Sequence, residues 1–348
     1  MRAIASVLGT LVALTAGLGL LARYVSPAVF WPPAIISLLL PGLLLLTFLF
    51  AAWSLYRRRF KRALLPIAVC LFAAPVISKL FAIGTTPDGK ARAADTLTVT
   101  TANVRGFNDA AFSAISEDHV AATIRRTDAD VLLLQEGRTD KWKINYFDLI
   151  RSTGGFGDQH QPHGKTLGTF AEDLQPVASA FVGLHLYNGY LVSDVATALG
   201  TVRVVNAHLQ SNQISGIAAG IGQDTTVEDG VSRLTSLLRG YGNQASVRAT
   251  QAAEIRDIIH SSPHPVIVGG DFNDVPSSYT YRSIAGPRLN DAWVEAGFGL
   301  GTTFDGPLPF LRIDFLLVDT AFRVLEVERL PSGFSDHRPL RVVLGHKK

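Results

Sequence analysis

A single cysteine, Cys70, in 348 residues leaves no partner for an intrachain disulfide and no thiolate set for a zinc site. Acidic residues are missing from the first 83 positions, which hold eight of the 32 Lys and Arg residues. Positions 84–348 therefore carry 24 basic against 29 acidic residues, a formal charge of −5. The basic pI of about 9.0 belongs to the N-terminal segment, not to the bulk of the chain. The larger part has no block of positive charge of the kind that coats a nucleic-acid backbone. Internal repeats are also absent, which excludes solenoid architectures.

Charge is missing again from three apolar runs, at 4–22, 34–56 and 63–78. A helix needs ~20 apolar residues to cross the hydrocarbon core. The first two runs reach that length, and the third reaches it if Lys79 snorkels outward and the run extends to Ile83. Tyr24, Trp31, Trp53 and Tyr56 flank the runs, where amphipathic rings favour the lipid–water boundary. Pro41, Pro66 and Pro75 lie inside them, which membrane helices tolerate better than soluble ones. Residues 57–62 (RRRFKR) put five positive charges in one short loop, and such loops stay cytoplasmic. The expectation is a lipid-bilayer anchor of three transmembrane helices over 1–83, with the N-terminus cytoplasmic. Everything after Ile83 would then lie outside the cytoplasm. A cleaved signal peptide is the alternative for the first run, but no small-x-small cleavage site precedes Tyr24. A small transporter is a further class, and the near-absence of charge within the runs gives it no pathway. Residues 84–95 (GTTPDGKARAAD) read as a linker, and 96–348 as a catalytic domain large enough to bury its own core without disulfides.

Within that domain, residues 97–103 alternate with β-branched side chains and read as a strand. Residues 130–136 form a short apolar run that ends in polar residues, a buried strand. Strands are also expected at 190–194, 202–208, 265–271, 312–318 and 340–344, with a turn at Leu199-Gly200. Helical spacing appears at 111–126, 231–241 and 246–260. This mixture predicts an α/β fold of sheets covered by helices.

Apolar strands in this chain repeatedly end in a residue that binds cations or moves protons: Asn103, Glu136, His208, Asp271, Asn273, Asp314, and the pair Asp336 and His337 near the C-terminus. Residues i and i+2 of a strand share a face, so Asp271 and Asn273 can address one site. Carboxylates and amide oxygens without cysteine suit a hard cation such as Mg²⁺ or Mn²⁺. A histidine beside a carboxylate supplies a proton acceptor near neutral pH. Each residue alone has a plainer reading, as a turn Asn, a solvated Glu or a satisfied core His. Their occurrence together and in this order is what carries the functional reading.

The order Asn103, Gln135-Glu136, Asn206-Ala207-His208, Gly270-Asp271-Phe272-Asn273, Arg312-Ile313-Asp314 and Ser335-Asp336-His337 resembles the endonuclease/exonuclease/phosphatase superfamily, over about residues 96–344. The three apolar runs ahead of it, with His208-Leu209-Gln210-Ser211-Asn212-Gln213, resemble a membrane-anchored bacterial branch, which places the chain in an inner membrane. The resemblance implies a four-layer α/β sandwich of the deoxyribonuclease-I type. It also implies the roles: Glu136 binds Mg²⁺ or Mn²⁺ with Asn103 and Asp336, His337 is the general base oriented by Asp314, Asp271 and Asn273 position nucleophile and phosphate, and His208 donates to the phosphate. The nucleophile is water, attacking phosphorus in line.

The chain departs from the family pattern between the Glu and His strands. The usual Gly-x-Ala-Ile-x-Ser-Arg/Lys-x-Pro-Ile stretch is replaced by residues 163–177 (HGKTLGTFAEDLQPV), and only Gly164 and Pro176-Val177 are suggestive. Glu172 and Asp173 are the candidates for a carboxylate supporting the second histidine. His160, His163 and Lys165 either contact substrate phosphate or belong to a variable surface loop. The expected activity is a metal-dependent phosphodiesterase or nuclease. Its substrate is an extracytoplasmic nucleic acid, a phospholipid headgroup or a phosphomonoester, and no protein partner is expected. A non-catalytic binding module that retains the fold is the reading from another class.

Overall fold

The computed structural model describes residues 2–84, 95–137, 146–182, 187–212, 227–306, 310–331 and 333–347. Most of the expected linker at 84–95 lies outside the described residues. The chain divides into two compact units. One gathers residues 1–81 with 212–250 and 274–283; the other gathers 82–211, 251–273 and 284–348.

In the first unit the expectation of three membrane-crossing helices gives way to a more broken arrangement. Among the described residues, one helix, Ile4–Arg23, is long and apolar enough to cross a membrane. The second run is divided into Pro32–Ser37 and a 17-residue helix, Leu40–Tyr56. The third is divided into Phe60–Phe72 and Ala74–Leu80, bent by 55°. Proline accounts for both breaks. Pro41 and Pro75 sit in the first turn of the helices they open, where their missing N–H costs nothing, and neither ring tolerates a helix continuing into it from before. These helices meet through Ala16, Leu20, Leu40, Leu44, Val69, Ala73 and Val76. Their larger apolar side chains point outward: Leu8, Leu11, Leu45, Phe48, Leu49, Leu64 and Leu71 are all exposed.

The same unit contains the front of the helix Val227–Ser261, for which the sequence predicts two helices with a break near Gly242. The helix runs through because a glycine inside a helix costs only ~1 kcal/mol, and burial at this point outweighs that. Tyr241 is buried and donates to Ala34 O at 3.3 Å. A Cβ on Gly242 would lie 2.6 Å from the Trp31 ring, so the glycine permits close approach. Arg248 is fully buried with its Nε 3.4 Å from Asp274.

The second unit is an α/β multi-sheet sandwich. Its strands are β1 (Ala82–Ile83), β2 (Leu97–Asn103), β3 (Val131–Gln135), β4 (Asp158–His160), β5 (Gly168–Ala171), β6 (Leu174–Phe181), β7 (Gly189–Thr197), β8 (Gly200–His208), β9 (Val266–Asp271), β10 (Leu289–Asp291), β11 (Phe298–Gly299), β12 (Asp314–Asp319), β13 (Phe322–Arg329) and β14 (Leu340–His346). One six-stranded sheet has the order β13-β14-β2-β3-β5-β4, the other β10-β12-β9-β8-β7-β6, and β1 pairs with β11. The pairs β2·β3 and β8·β9 are parallel, and the rest are antiparallel.

Alternation along β3 explains the layering. Val131 and Leu133 join a core with Leu97 and Val99 of the same sheet and Val202, Val204, Ile267 and Leu316 of the other. Leu132 and Leu134 face the opposite way, into a second core with Val120 and Ile124 of the helix Glu117–Thr127 and Phe147 and Ile150 of the helix Phe147–Gly154. A strand covered on both faces reads as an unbroken apolar run, as residues 131–134 do. The helix expected at 111–126 begins only at Glu117. Asp109 Oδ1 captures the N–H groups of Ala111 and Ser113 at 2.9 and 2.8 Å in a turn, and Ser116 caps the helix through the His119 N–H.

Candidate active site

Strand register builds the site. His208 ends β8 opposite Asp271 of β9, and Asp271 lies opposite Asp314 at the start of β12. Directly paired residues on neighbouring strands point to the same face, so these three side chains form one row. In the other sheet Asn103 is paired with Gln135, and Glu136 follows it in the left-handed region at φ 54°.

Asp271 Oδ2 is the hub. It accepts from Asn103 Nδ2 at 3.0 Å and lies 3.7 Å from His208 Nε2 and 3.8 Å from His337 Nε2. Its other oxygen accepts the Asn273 N–H at 2.8 Å. Burial, first, and the Asp314 charge hold its carboxyl above the ordinary carboxylate range, against the lowering effect of the two histidines. His337 Nδ1 lies 3.1 and 3.0 Å from the two Asp314 oxygens. Burial acts against a charged ring there, yet the carboxylates of Asp314, Asp271 and Asp336 prevail and raise its pKa to about 10. Thr303 Oγ1 accepts the Ile313 and Asp314 N–H groups at 3.1 Å each, fixing the start of β12.

The residues expected to hold a cation divide in their present poses. Glu136 Oε1 lies 3.1 Å from Asn103 Nδ2 and 3.6 Å from His208 Nε2. Asn103 turns its amide NH₂ toward Glu136 and Asp271 while its oxygen accepts the Arg105 N–H at 3.1 Å. It bridges two carboxylates here, and a half-turn of the amide would present the oxygen instead. Asp336 is partly exposed, 4.0 Å from Arg105 Nε. Asn273, at φ 51°, donates to Leu209 O at 3.0 Å. Asp271, Asp314 and His337 also bring one ligand atom each within 4.8 Å of one another, a buried group able to hold an ion. The tight His337–Asp314 pairing favours a proton-handling dyad for two of those three.

Residues 163–167 form a turn with His163 exposed, and two strands follow within 168–177. That stretch contains all of β5, every residue of which is buried, and the start of β6, an edge strand with mostly exposed side chains. His160 is buried with Nδ1 2.9 Å from Ser193 Oγ, so it serves the sheet rather than the substrate. Lys165 lies over the Phe181 ring at 4.4 Å. No contact of Glu172 or Asp173 with His208 is seen among the described residues. Burial lowers the His160 pKa from its ordinary 6.5. A depressed folded value means stability fully present above about pH 6.5 and lost as pH falls through the folded pKa. His160→Gln should therefore flatten the stability profile on the acid side of about pH 6.5, measured by thermal melts.

Sequence reasoning assigned no role to the buried amides that join the two sheets. Gln135 Nε2 donates to Asn206 Oδ1 at 2.7 Å, and Asn206 Nδ2 donates to Leu134 O and Gly168 O at 3.2 and 2.9 Å. Both amides are fully buried, and their mutual satisfaction aligns the Glu136 strand with the His208 strand. Tyr187 was missed as well. Burial, then the nearby Glu136 charge, raises its pKa. Its signal, one Tyr ahead of β7, is not distinguishable in sequence from a turn residue.

Two six-stranded sheets bring together a His-Asp dyad, an adjoining carboxylate and a second histidine, a set whose chemistry suits phosphoester hydrolysis. The endonuclease/exonuclease/phosphatase family model matches residues 100–337, and the chain belongs to that family. Members are phosphoester hydrolases that generally use a divalent metal. A second family model, for a domain of unknown function, matches residues 2–80. No curated protein matches the chain. Among solved structures, an endonuclease/exonuclease/phosphatase from Beutenbergia cavernae is 18% identical and covers 72% of both chains, with a TM-score of 0.47. A humanised D. rerio TDP2 is 17% identical, covering 72% of this chain and 99% of its own, with a TM-score of 0.48. The human Nocturnin catalytic domain with bound sulfate anion is 18% identical, covering 73% and 95%, with a TM-score of 0.45.

Proposed function

We propose that the chain is a membrane-anchored, Mg²⁺- or Mn²⁺-dependent phosphodiesterase that uses water as nucleophile. The observation that carries the proposal is His208. It is buried to 1% exposure, neither ring nitrogen has a hydrogen-bond partner among the described residues, and Nε2 lies 3.6 Å from Glu136 and 3.7 Å from Asp271. An orphaned buried donor is costly unless a ligand completes it. A phosphoryl oxygen there satisfies the ring, and the surrounding oxygen ligands without thiolate suit a hard dication. Glu136 would hold that ion, with Asp336 and a rotated Asn103. Once bound, it would neutralise phosphoryl and leaving-group oxygens.

The chain's own residues supply the rest. His337 Nε2 takes a proton from water while Asp314 holds Nδ1–H and favours the imidazolium that forms. Asp271, within reach of that nitrogen, orients the water. Asn273 keeps Asp271 in place through its backbone N–H. His208 donates to the phosphoryl oxygen as charge builds. Neutralisation of the carboxylates around His337 is the condition for its ring to accept a proton at neutral pH.

Membrane anchoring draws support from the helical segment 2–80, where large apolar side chains face outward and a modest cluster faces inward. That reversal of a soluble pattern suits a lipid surround. The extracytoplasmic placement of the active site follows from the basic loop at 57–62 and is carried as part of the same proposal. Glu136→Gln is expected to weaken Mn²⁺ binding by calorimetry at least tenfold and to lower phosphodiester turnover by ~10²-fold or more. Unchanged binding and turnover would remove the metal assignment.

A further inference from the structure

From Tyr241 onward one face of the helix Val227–Ser261 is covered within the first unit. Tyr241, Ala245 and Arg248 are buried, the Tyr241 hydroxyl lies 3.3 Å from Ala34 O, and a Cβ on Gly242 would meet the Trp31 ring. By helical periodicity the same face runs back through Leu238, Leu234 and Val231. There it is bare: Leu234 is 53% exposed and Val231 60%. Ser232, Ser236 and Gly240 take the opposite side, with Arg233 and Arg239 toward its borders. Large apolar side chains repeated on one exposed helical face mark a surface that meets something other than water.

What covers the stripe follows from where it starts. The buried part of the face is seated on residues 31–34, in the connector between the helices Ile4–Arg23 and Leu40–Tyr56. The five basic residues at 57–62 follow the other end of Leu40–Tyr56, so the bare stripe begins at the end of these helices remote from that loop. The connector also exposes Tyr24, Val29 and Phe30, as a segment at a lipid–water boundary does. Between Gly230 and Tyr241 the charges are Arg233 and Arg239 alone, which complement the phosphates of a lipid surface. A second copy paired antiparallel about Ser236 would instead set Arg233 of one chain against Arg239 of the other.

We infer that residues 230–241 are an interfacial helix, lying in the headgroup region of the bilayer with Val231, Leu234 and Leu238 among the acyl chains and Arg233 and Arg239 against lipid phosphates. The inference rests on the reading of residues 2–80 as a membrane anchor and adds to it a second element far away in sequence. Such a helix binds by apolar area plus attraction to anionic headgroups, so its seating depends on lipid composition as that of a membrane-crossing helix does not.

The test uses the full chain with Cys70→Ala, which removes the one native cysteine, in nanodiscs of phosphatidylcholine and phosphatidylglycerol. A nitroxide is placed on Val231→Cys, Ser232→Cys, Leu234→Cys or Ser236→Cys, one at a time. Its relaxation by oxygen, which concentrates among acyl chains, is compared with that by a water-soluble nickel chelate. Positions 231 and 234 should lie roughly 5–10 Å into the headgroup and acyl boundary, and positions 232 and 236 in water. Arg233→Gln with Arg239→Gln, or pure phosphatidylcholine, should bring position 234 toward water. Equal exposure to nickel at all four positions overturns the interfacial helix. Spin–spin broadening at position 234 overturns it too, since a second copy would then cover the stripe. Phe48→Cys, on the outward side of Leu40–Tyr56, separates the two readings. Position 48 in lipid with 234 in water removes the interfacial helix and leaves the anchor standing; both in water removes the anchor as well.

Discussion

Replacing His337 with alanine is expected to lower phosphodiester turnover by ~10²–10⁴-fold, the range in which a positioned proton acceptor contributes. The ring reaches both Asp314, through Nδ1, and the Asp271 side of the site, through Nε2. Asp314→Asn should cost nearly as much, because it removes the charge that favours the imidazolium and lets an amide NH₂ face Nδ1, which fixes the wrong tautomer. The double variant should then be little worse than either single one, since groups acting as a unit are not additive. A double-mutant cycle on turnover measures this, and additive losses would separate the two residues. The same dyad predicts a stability signature. The folded pKa of His337, about 10, lies above the ordinary 6.5. A raised value contributes stability fully present below about pH 6.5 and lost as pH rises through about 10. Metal-free wild type should therefore lose melting temperature across that window more steeply than His337→Ala.

Much of this site was legible because strand ends are legible. Short apolar runs with polar termini mark where a chain leaves the core, and Asn103, Glu136, His208 and Asp271 all stand at such points. Spacing could not give the register that places His208, Asp271 and Asp314 side by side, since pairing joins residues 63 and 43 positions apart. The strand β6 was invisible for a different reason. It lies at a sheet edge, five of its eight side chains are exposed, and its small residues show no alternation. In the N-terminal segment hydropathy registered the apolar runs but not the proline breaks that shorten the helices.

Gly270→Ala is expected to cost about 3 kcal/mol or more of stability and to abolish turnover along with it. Gly270 sits in β9 between two neighbours, opposite Ala207 of β8 and Phe315 of β12, with φ at 141°. A Cβ there would lie 1.8 Å from Ala207 O and 2.7 Å from its carbonyl carbon. Both are backbone atoms held in a central ladder, so no side chain can rotate aside, and L residues other than glycine avoid that φ. The relief must come from parting β8 and β9, which moves His208 away from Asp271. Gly269→Ala is the informative contrast. Its Cβ would meet Leu133 Cδ1 and Leu316 Cδ2 at 2.6 Å, the free ends of two leucines, so repacking should limit the cost to ~1–3 kcal/mol. Thermal denaturation of both variants followed by circular dichroism measures the difference, and equal losses would show that the backbone clash at Ala207 O adds nothing to the cost. The Gly-Asp-Phe-Asn motif therefore joins two unlike demands: its glycine is required by the sheet and its carboxylate by the chemistry, and the second cannot be met unless the first is.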